Sequence, residues 1–238
     1  KSKMIDLWLL PLPPSPVTAL SADRVRLRPF EKADVPAIVE QGSDRAVAHW
    51  MISFPVPWPR WLARQRVRES RRDLASGRGY HFAITADDQP GKPMVGACSA
   101  IFVGDASRPP ELAYWVAPPW QRQGYGRTAL RLLLSHMFDA DPALIAVEAA
   151  VIEGNDPSAD LLRGLHFRDQ GEEFASAPLS WDEPPGTQVR LRRYRLWRED
   201  WFRAAQVHIP EQDRLGRPAG DPRARRTDAG RRPTSRCV

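Results

Sequence analysis

The chain is poor in cysteine: of 238 residues only Cys98, inside an apolar run, and Cys237, beside the terminus, carry a thiol. Two cysteines in those places form no disulfide framework, and the default compartment for such a chain is a reducing one, the cytoplasm. Histidine is thin as well, five scattered residues with no pair at zinc-ligand spacing, so no metal site is expected. Long apolar runs are missing too. Met4 to Leu10 is broken by Asp6, falls far short of the roughly 20 residues of a membrane helix, and runs into Pro11, Pro13, Pro14 and Pro16. Residues 1–22 therefore read as an extended arm with no membrane partner, and no internal repeat follows them.

Acidic residues are scarce in one region. After Asp213 eight arginines stand against two acids, which accounts for the whole formal charge of +6 and leaves the first 213 residues formally neutral. A neutral body has no basic footprint of its own, so attraction for polyanions is confined to the tail. Residues 203–238 have little apolar surface to bury and are expected to be disordered. An RNA- or ribosome-binding protein acting through that tail is one function class the composition leaves open; weak contact of this kind is salt-sensitive and non-specific.

What is present suits one α/β unit, residues 23–202, since 42% hydrophobic residues suffice for one substantial core. Val25 to Phe30 alternates apolar and basic side chains as a half-exposed strand does, and a helix is expected after Asp34 with Pro36 in its first turn. Trp50, Phe54, Trp58 and Trp61 lie among Pro55, Pro57 and Pro59, an aromatic connection that either plugs the core or lines a cleft. A helix over Trp61 to Ser76 precedes a hairpin of Tyr80 to Thr85 and Met94 to Val103. Glu111 to Val116, a helix over Thr128 to Phe138 and the apolar strand Leu144 to Ile152 then spell a parallel crossover. A short helix from Asp156 to Arg163 and strands over Phe167 to Phe174 and Gln188 to Trp197 complete a mixed α/β fold.

The segment after Val116 carries the chemistry: Pro118-Pro119-Trp120-Gln121-Arg122-Gln123-Gly124-Tyr125-Gly126-Arg127-Thr128. A strand ends, two glycines permit close backbone approach, and a helix starts. Unpaired amides at a helix N-terminus, aided by the helix dipole, hold a pyrophosphate, and Arg122 and Arg127 add charge. Gly124-Tyr125-Gly126-Arg127-Thr128-Ala129 also satisfies the GxGxxA dinucleotide fingerprint, with Glu148 at about the 20-residue distance of a ribose-binding acid. That fingerprint wants its first glycine directly after the strand, whereas here several residues intervene.

Gln121-x-x-Gly124-x-Gly126 resembles the Q/R-x-x-G-x-G/A acetyl-CoA motif of the GNAT superfamily, and other segments agree in order. Arg24-Val25-Arg26-Leu27-Arg28-Pro29 resembles the opening strand of the RimJ/RimL-like branch, Gly96 sits as in its "vGxxxl" strand, and Glu111-Leu112-Ala113-Tyr114-Trp115-Val116 resembles "eiGYWv". Asn155-x-x-Ser158 with Leu165-His166-Phe167 resembles "NxxSxxxxxxxGF", and Tyr194 to Trp201 resembles the closing strand. Ala113 and His166 stand where the branch commonly has glycine. The resemblance spans Arg24 to Trp201 and implies a single GNAT domain: a mostly antiparallel sheet, splayed at one parallel pair, with helices on both faces.

It also implies direct acetyl transfer from acetyl-CoA to a primary amine, with no acyl-enzyme, so Cys98 is not a nucleophile. The cofactor-binding set is Gln121, Arg122, Gln123, Gly124, Tyr125, Gly126 and Arg127 at the pyrophosphate, with Asn155 and the Trp115 and Val116 main chain along the pantetheine arm. Glu111 is the expected base and Glu148 the second candidate. Many superfamily members protonate the leaving thiolate with a tyrosine; here that position is Leu162, and Ser158 is the nearest hydroxyl. The branch implies a protein or peptide N-terminal amine as acceptor, of the ribosomal-protein-alanine type, with aminoglycosides or polyamines as the alternative.

Overall fold

The computed structural model describes residues 19–102, 108–178, 181, 183–184 and 186–207. Residues 1–18 of the expected arm, and the tail from 208 onward with Cys237, lie outside the described residues. One eight-stranded sheet runs in the order β1-β2-β3-β4-β5-β6-β8-β7. Its strands are β1 (Leu20–Ala22), β2 (Val25–Pro29), β3 (Gly79–Ala86), β4 (Met94–Ile101), β5 (Glu111–Val116), β6 (Ala146–Ile152), β7 (Arg168–Ser176) and β8 (Gln188–Trp197). The helices are α1 (Val35–Ser43), α2 (Arg45–Ala48), α3 (Arg60–Ser76), α4 (Tyr125–Ala140), α5 (Asp156–Arg163) and α6 (Arg198–Val207). Among the described residues only β5 and β6 run parallel. Leu20 to Ala22, ahead of residue 23, pair with β2, and α6 runs on past 202 to Val207.

The pattern of apolar residues decides which face each helix covers. On α4, Ala129, Leu130, Leu133, Leu134, Met137 and Phe138 recur at helical spacing and are all fully buried. They meet Phe82, Ile84, Val147, Ala149 and Tyr194 on one face of the sheet. At about 1.5–3 kcal/mol for each large apolar side chain, that stripe fixes α4 against the strands it connects. The opposite face carries a second core in which α1 and α3, through Ile38, Ala63 and Val67, pack on Ala83, Ala97 and Trp115. Helices therefore cover both faces.

The aromatic connection divides between the two expected roles. Phe54 and Trp58 are buried in the second core, Trp50 lines a cleft, and Trp61 is 63% exposed at the start of α3. The turn before α1 is anchored by Asp34, buried and bound through both oxygens by Arg28 at 2.7 and 2.8 Å. Cys98 sits fully buried on β4, and burial pushes its thiol pKa well up, which leaves it unreactive as a thiolate.

Candidate active site

β5 and β6 are partners only at Glu111 with Glu148 and Leu112 with Ala149. Beyond Leu112 they part, opening a cavity of about 910 Å³ between the β5 edge, the α4 N-terminus, α5 and the segment after α2. The approach of β4 to β5 depends on Gly96, where a Cβ would lie 2.3 Å from the Trp115 carbonyl oxygen. Antiparallel pairing alternates, and Ala117 N–H donates to Val95 O, so the main-chain groups of Trp115 turn to β4 while those of Tyr114 and Val116 turn to the opening. Trp115 lines the cavity, with its main-chain groups turned to β4 rather than, as expected, along the opening. Its side chain is buried beside Phe54, and Tyr114 takes its place on the open edge.

The loop after Val116 ends in a left-handed Gly124, φ 89, and α4 begins at Tyr125, three residues earlier than the apolar stripe alone suggests. Among the described residues the amides of Gly124, Tyr125, Gly126 and Arg127 meet no acceptor; the first helical bond is Thr128 N–H to Gly124 O, 3.0 Å. A sixteen-residue helix places about half a positive charge behind those donors. Arg122, itself left-handed at φ 58, is exposed. The other loop side chains brace the chain: Gln121 Nε2 donates to Val116 O at 2.8 Å, Gln123 Nε2 to Pro119 O at 2.8 Å, and Arg127 to Gly164 O at 3.1 Å. Arg24, from the β1–β2 turn, donates to Gln123 O, lies over the Tyr125 ring at 4.6 Å and stands 4.0 Å from Asp88.

Across the opening Asn155 caps α5, its Oδ1 accepting from Ser158 N–H at 3.3 Å, which leaves the side-chain NH2 as donor. Ser158 Oγ lies 2.7 Å from the Tyr114 hydroxyl. Burial pushes the tyrosine up to about 12, so it stays an O–H group at neutral pH. Leu162 is buried in the core and supplies no polar group.

The carboxylates sit on the other side of the sheet opening. Glu111 lines the cavity and receives Arg193 at 2.8 Å, and Arg193 also binds Glu173. Pairing with Glu173, then with Glu111, holds the Arg193 guanidinium above its ordinary value. Glu148 is bound by Arg195, with Nε at 2.9 Å, and does not line the cavity.

A family model described as an acetyltransferase (GNAT) domain matches residues 24–168. The chain belongs to the GNAT acetyltransferase family. It is an acyltransferase. Similar solved structures include the ribosomal-protein-S5-alanine acetyltransferase from Vibrio fischeri, 18% identical over 77% of this chain and 98% of that one, TM-score 0.63. The ribosomal L7/L12 alpha-N-protein acetyltransferase RimL in complex with coenzyme A is 16% identical over 75% and 97%, TM-score 0.62. A GNAT-family acetyltransferase from Bacillus anthracis is 18% identical over 76% and 99%, TM-score 0.61. At these identities the likeness shows the shared fold. No curated protein matches the chain significantly.

Most residues expected at the GNAT site come together around this one cavity: Glu111, Trp115, Val116, Gln121, Arg122, Gly124, Tyr125, Gly126, Arg127, Asn155 and Ser158 all line it. Gln123 acts through its carbonyl from outside, and Glu148 stands beyond the lining. His166 is exposed and left-handed, φ 68, a conformation glycine adopts more cheaply, which accounts for the glycine common at that place. Sequence reasoning missed Arg24, Tyr114 and Arg193 as site residues. The first two lay inside quoted motifs, but their partners are 99 and 44 positions away. Among the described residues no helix is long and apolar enough to cross a membrane, and no group of three or more ligating side chains is placed to hold a metal.

Proposed function

We propose that this GNAT protein binds acetyl-CoA along the open edge of β5 and passes the acetyl group directly to the primary amine at a protein or peptide N-terminus. The observation that carries the reading is the meeting, in one cavity, of the β5 edge that β6 leaves uncovered beyond Leu112 with the four unpaired amides at the α4 N-terminus. Free amides and a helix dipole suit a pyrophosphate, with Arg122 as added charge, and an open strand edge suits the amide-bearing pantetheine arm. The NH2 of Asn155 adds a donor for that arm. A dinucleotide requires its glycine turn directly at the strand end, whereas Pro118 to Trp120 form a separate 3-10 turn between β5 and the glycines.

In this reading the amine enters beside Glu111. An α-amine has a pKa near 8, so much of it is protonated at neutral pH, and a carboxylate that takes the proton directly or through water raises the reactive fraction. Glu111 is the base, and Glu148, tied to Arg195 outside the cavity, is the less suited of the two. The amine nitrogen attacks the thioester carbon, the C–S bond breaks with its electron pair on sulfur, and Ser158 meets the departing thiolate. The named activities of the similar ribosomal-protein acetyltransferases support an N-terminal amine, and the scarcity of cysteine suits a cytoplasmic setting. A thiol-release assay with acetyl-CoA against N-terminal peptides, aminoglycosides and polyamines tests the proposal. Turnover with alanine- or serine-initiated peptides is expected; turnover with small amines alone moves the acceptor to that class, and deletion of residues 214–238 leaves turnover intact unless the tail recruits the acceptor through RNA.

A further inference from the structure

Ser158 stands in the first turn of α5, where a serine hydroxyl commonly turns back to a carbonyl of the preceding turn. Here its Oγ is instead 2.7 Å from the Tyr114 hydroxyl, which arrives from β5 on the opposite wall of the cavity. Tyr114 has one proton to give and two acceptors within reach: Ser158 Oγ and, at a longer 3.4 Å, the Ser158 carbonyl oxygen. The shorter contact is the better bond. Once Ser158 Oγ accepts from the tyrosine, its own proton must point elsewhere.

Resting on the proposed function, we infer that Tyr114 is a positioning residue for the departing thiolate: by donating to Ser158 Oγ it turns the Ser158 O–H into the cavity, toward the sulfur. The pair supplies from β5 and α5 the donor that Leu162, buried in the core, does not. Tyr114 does not give its proton away. Burial holds its hydroxyl up to about 12, so both hydroxyls remain neutral throughout. The thiolate accepts a hydrogen bond from Ser158 and takes its proton from water, while the proton lost by the amine leaves at the Glu111 end.

A double-mutant cycle tests this, with Tyr114→Phe, Ser158→Ala and the double variant compared in kcat, in acetyl-CoA affinity by calorimetry, and in thermal midpoint. Ser158→Ala is expected to lower kcat on the order of 10- to 100-fold, and Tyr114→Phe about tenfold, with acetyl-CoA affinity unchanged in both. The double variant should be no slower than Ser158→Ala alone, because the tyrosine acts only through the serine. Losses that multiply would overturn the inference, since Tyr114 would then act independently. So would a Tyr114→Phe variant that keeps wild-type kcat, or one whose kcat loss follows a fallen thermal midpoint. If Ser158→Ala keeps wild-type kcat, the pair has no role in thiolate departure; if the wild-type protein releases no thiol at all, the proposed function itself has failed.

Discussion

At the α4 end of the cleft the polar groups are main-chain amides, those of Gly124 to Arg127, whereas at the start of β5 they are carboxylates, Glu111 on the lining and its β6 neighbour Glu148 outside it, each held by an arginine of β8. The amide end depends on the path of the chain. Its determinants are a left-handed Gly124 and the braces that Arg24, Gln121 and Gln123 place on the loop. The carboxylate end depends on partners 82 and 47 residues distant. Backbone donors bind and orient an anion without titrating, while a carboxylate exchanges a proton. The two ends should therefore fail differently: damage at the loop should appear in cofactor affinity, and damage at Glu111 in turnover.

The largest expected effect is at the carboxylate end. Glu111→Gln should lower kcat by about two to four orders of magnitude near neutral pH while acetyl-CoA affinity by calorimetry stays unchanged. Part of the rate should return at high pH, where free amine is abundant. A raised KM with kcat nearly intact would make Glu111 an orienting group instead. Next comes the brace at the other end. Arg24→Ala removes the donor to Gln123 O and the cation over Tyr125, and should weaken acetyl-CoA binding about tenfold with kcat at saturation little changed, which titration calorimetry and steady-state kinetics separate.

Gly126 sharpens the contrast within the loop. A Cβ there would meet Leu161 and Val116 side chains at 3.5 Å, ordinary contact, and no left-handed φ is required. Gly126→Ala should keep acetyl-CoA affinity within a few-fold of wild type, in agreement with the G/A allowed by the motif. The smallest effect lies outside both ends. His166→Gly relieves a left-handed backbone and should raise stability by about 1 kcal/mol in urea unfolding, with kcat and KM unchanged. A change in kinetics would place His166 in the site after all.

How much could be read from the sequence follows the same division. The loop was legible because its information is contiguous: strand end, prolines, two glycines and an apolar helix stripe fall within residues 116–138. The parallel crossover followed from the order of elements, and the splayed sheet from the family resemblance. Asn155 and Ser158 were legible as a spaced motif, and the exposed turn at His166 as a departure from it. Tyr114 over Ser158, Arg24 over Gln123 and Arg193 on Glu111 were not, because each contact joins separate strands or loops that only the folded sheet brings together. The partition of Trp50, Phe54, Trp58 and Trp61 among cleft, core and surface was equally invisible: an irregular connection has no periodicity to mark its inner face. The side to which the Trp115 main chain turns was not legible either, because register decides which main-chain groups face the opening.

The central claim is that main-chain amides at the start of α4 hold the pyrophosphate of acetyl-CoA, and Gly124→Val tests it most directly, because φ 89 is a conformation that a β-branched residue adopts only under strain. Calorimetric titration of the folded wild-type and Gly124→Val proteins with acetyl-CoA and with NAD should show acetyl-CoA bound by the wild type, NAD bound by neither, and acetyl-CoA affinity lowered on the order of 100-fold in the variant. Equal acetyl-CoA affinity in a correctly folded Gly124→Val protein, or binding of NAD in place of acetyl-CoA, would contradict the account.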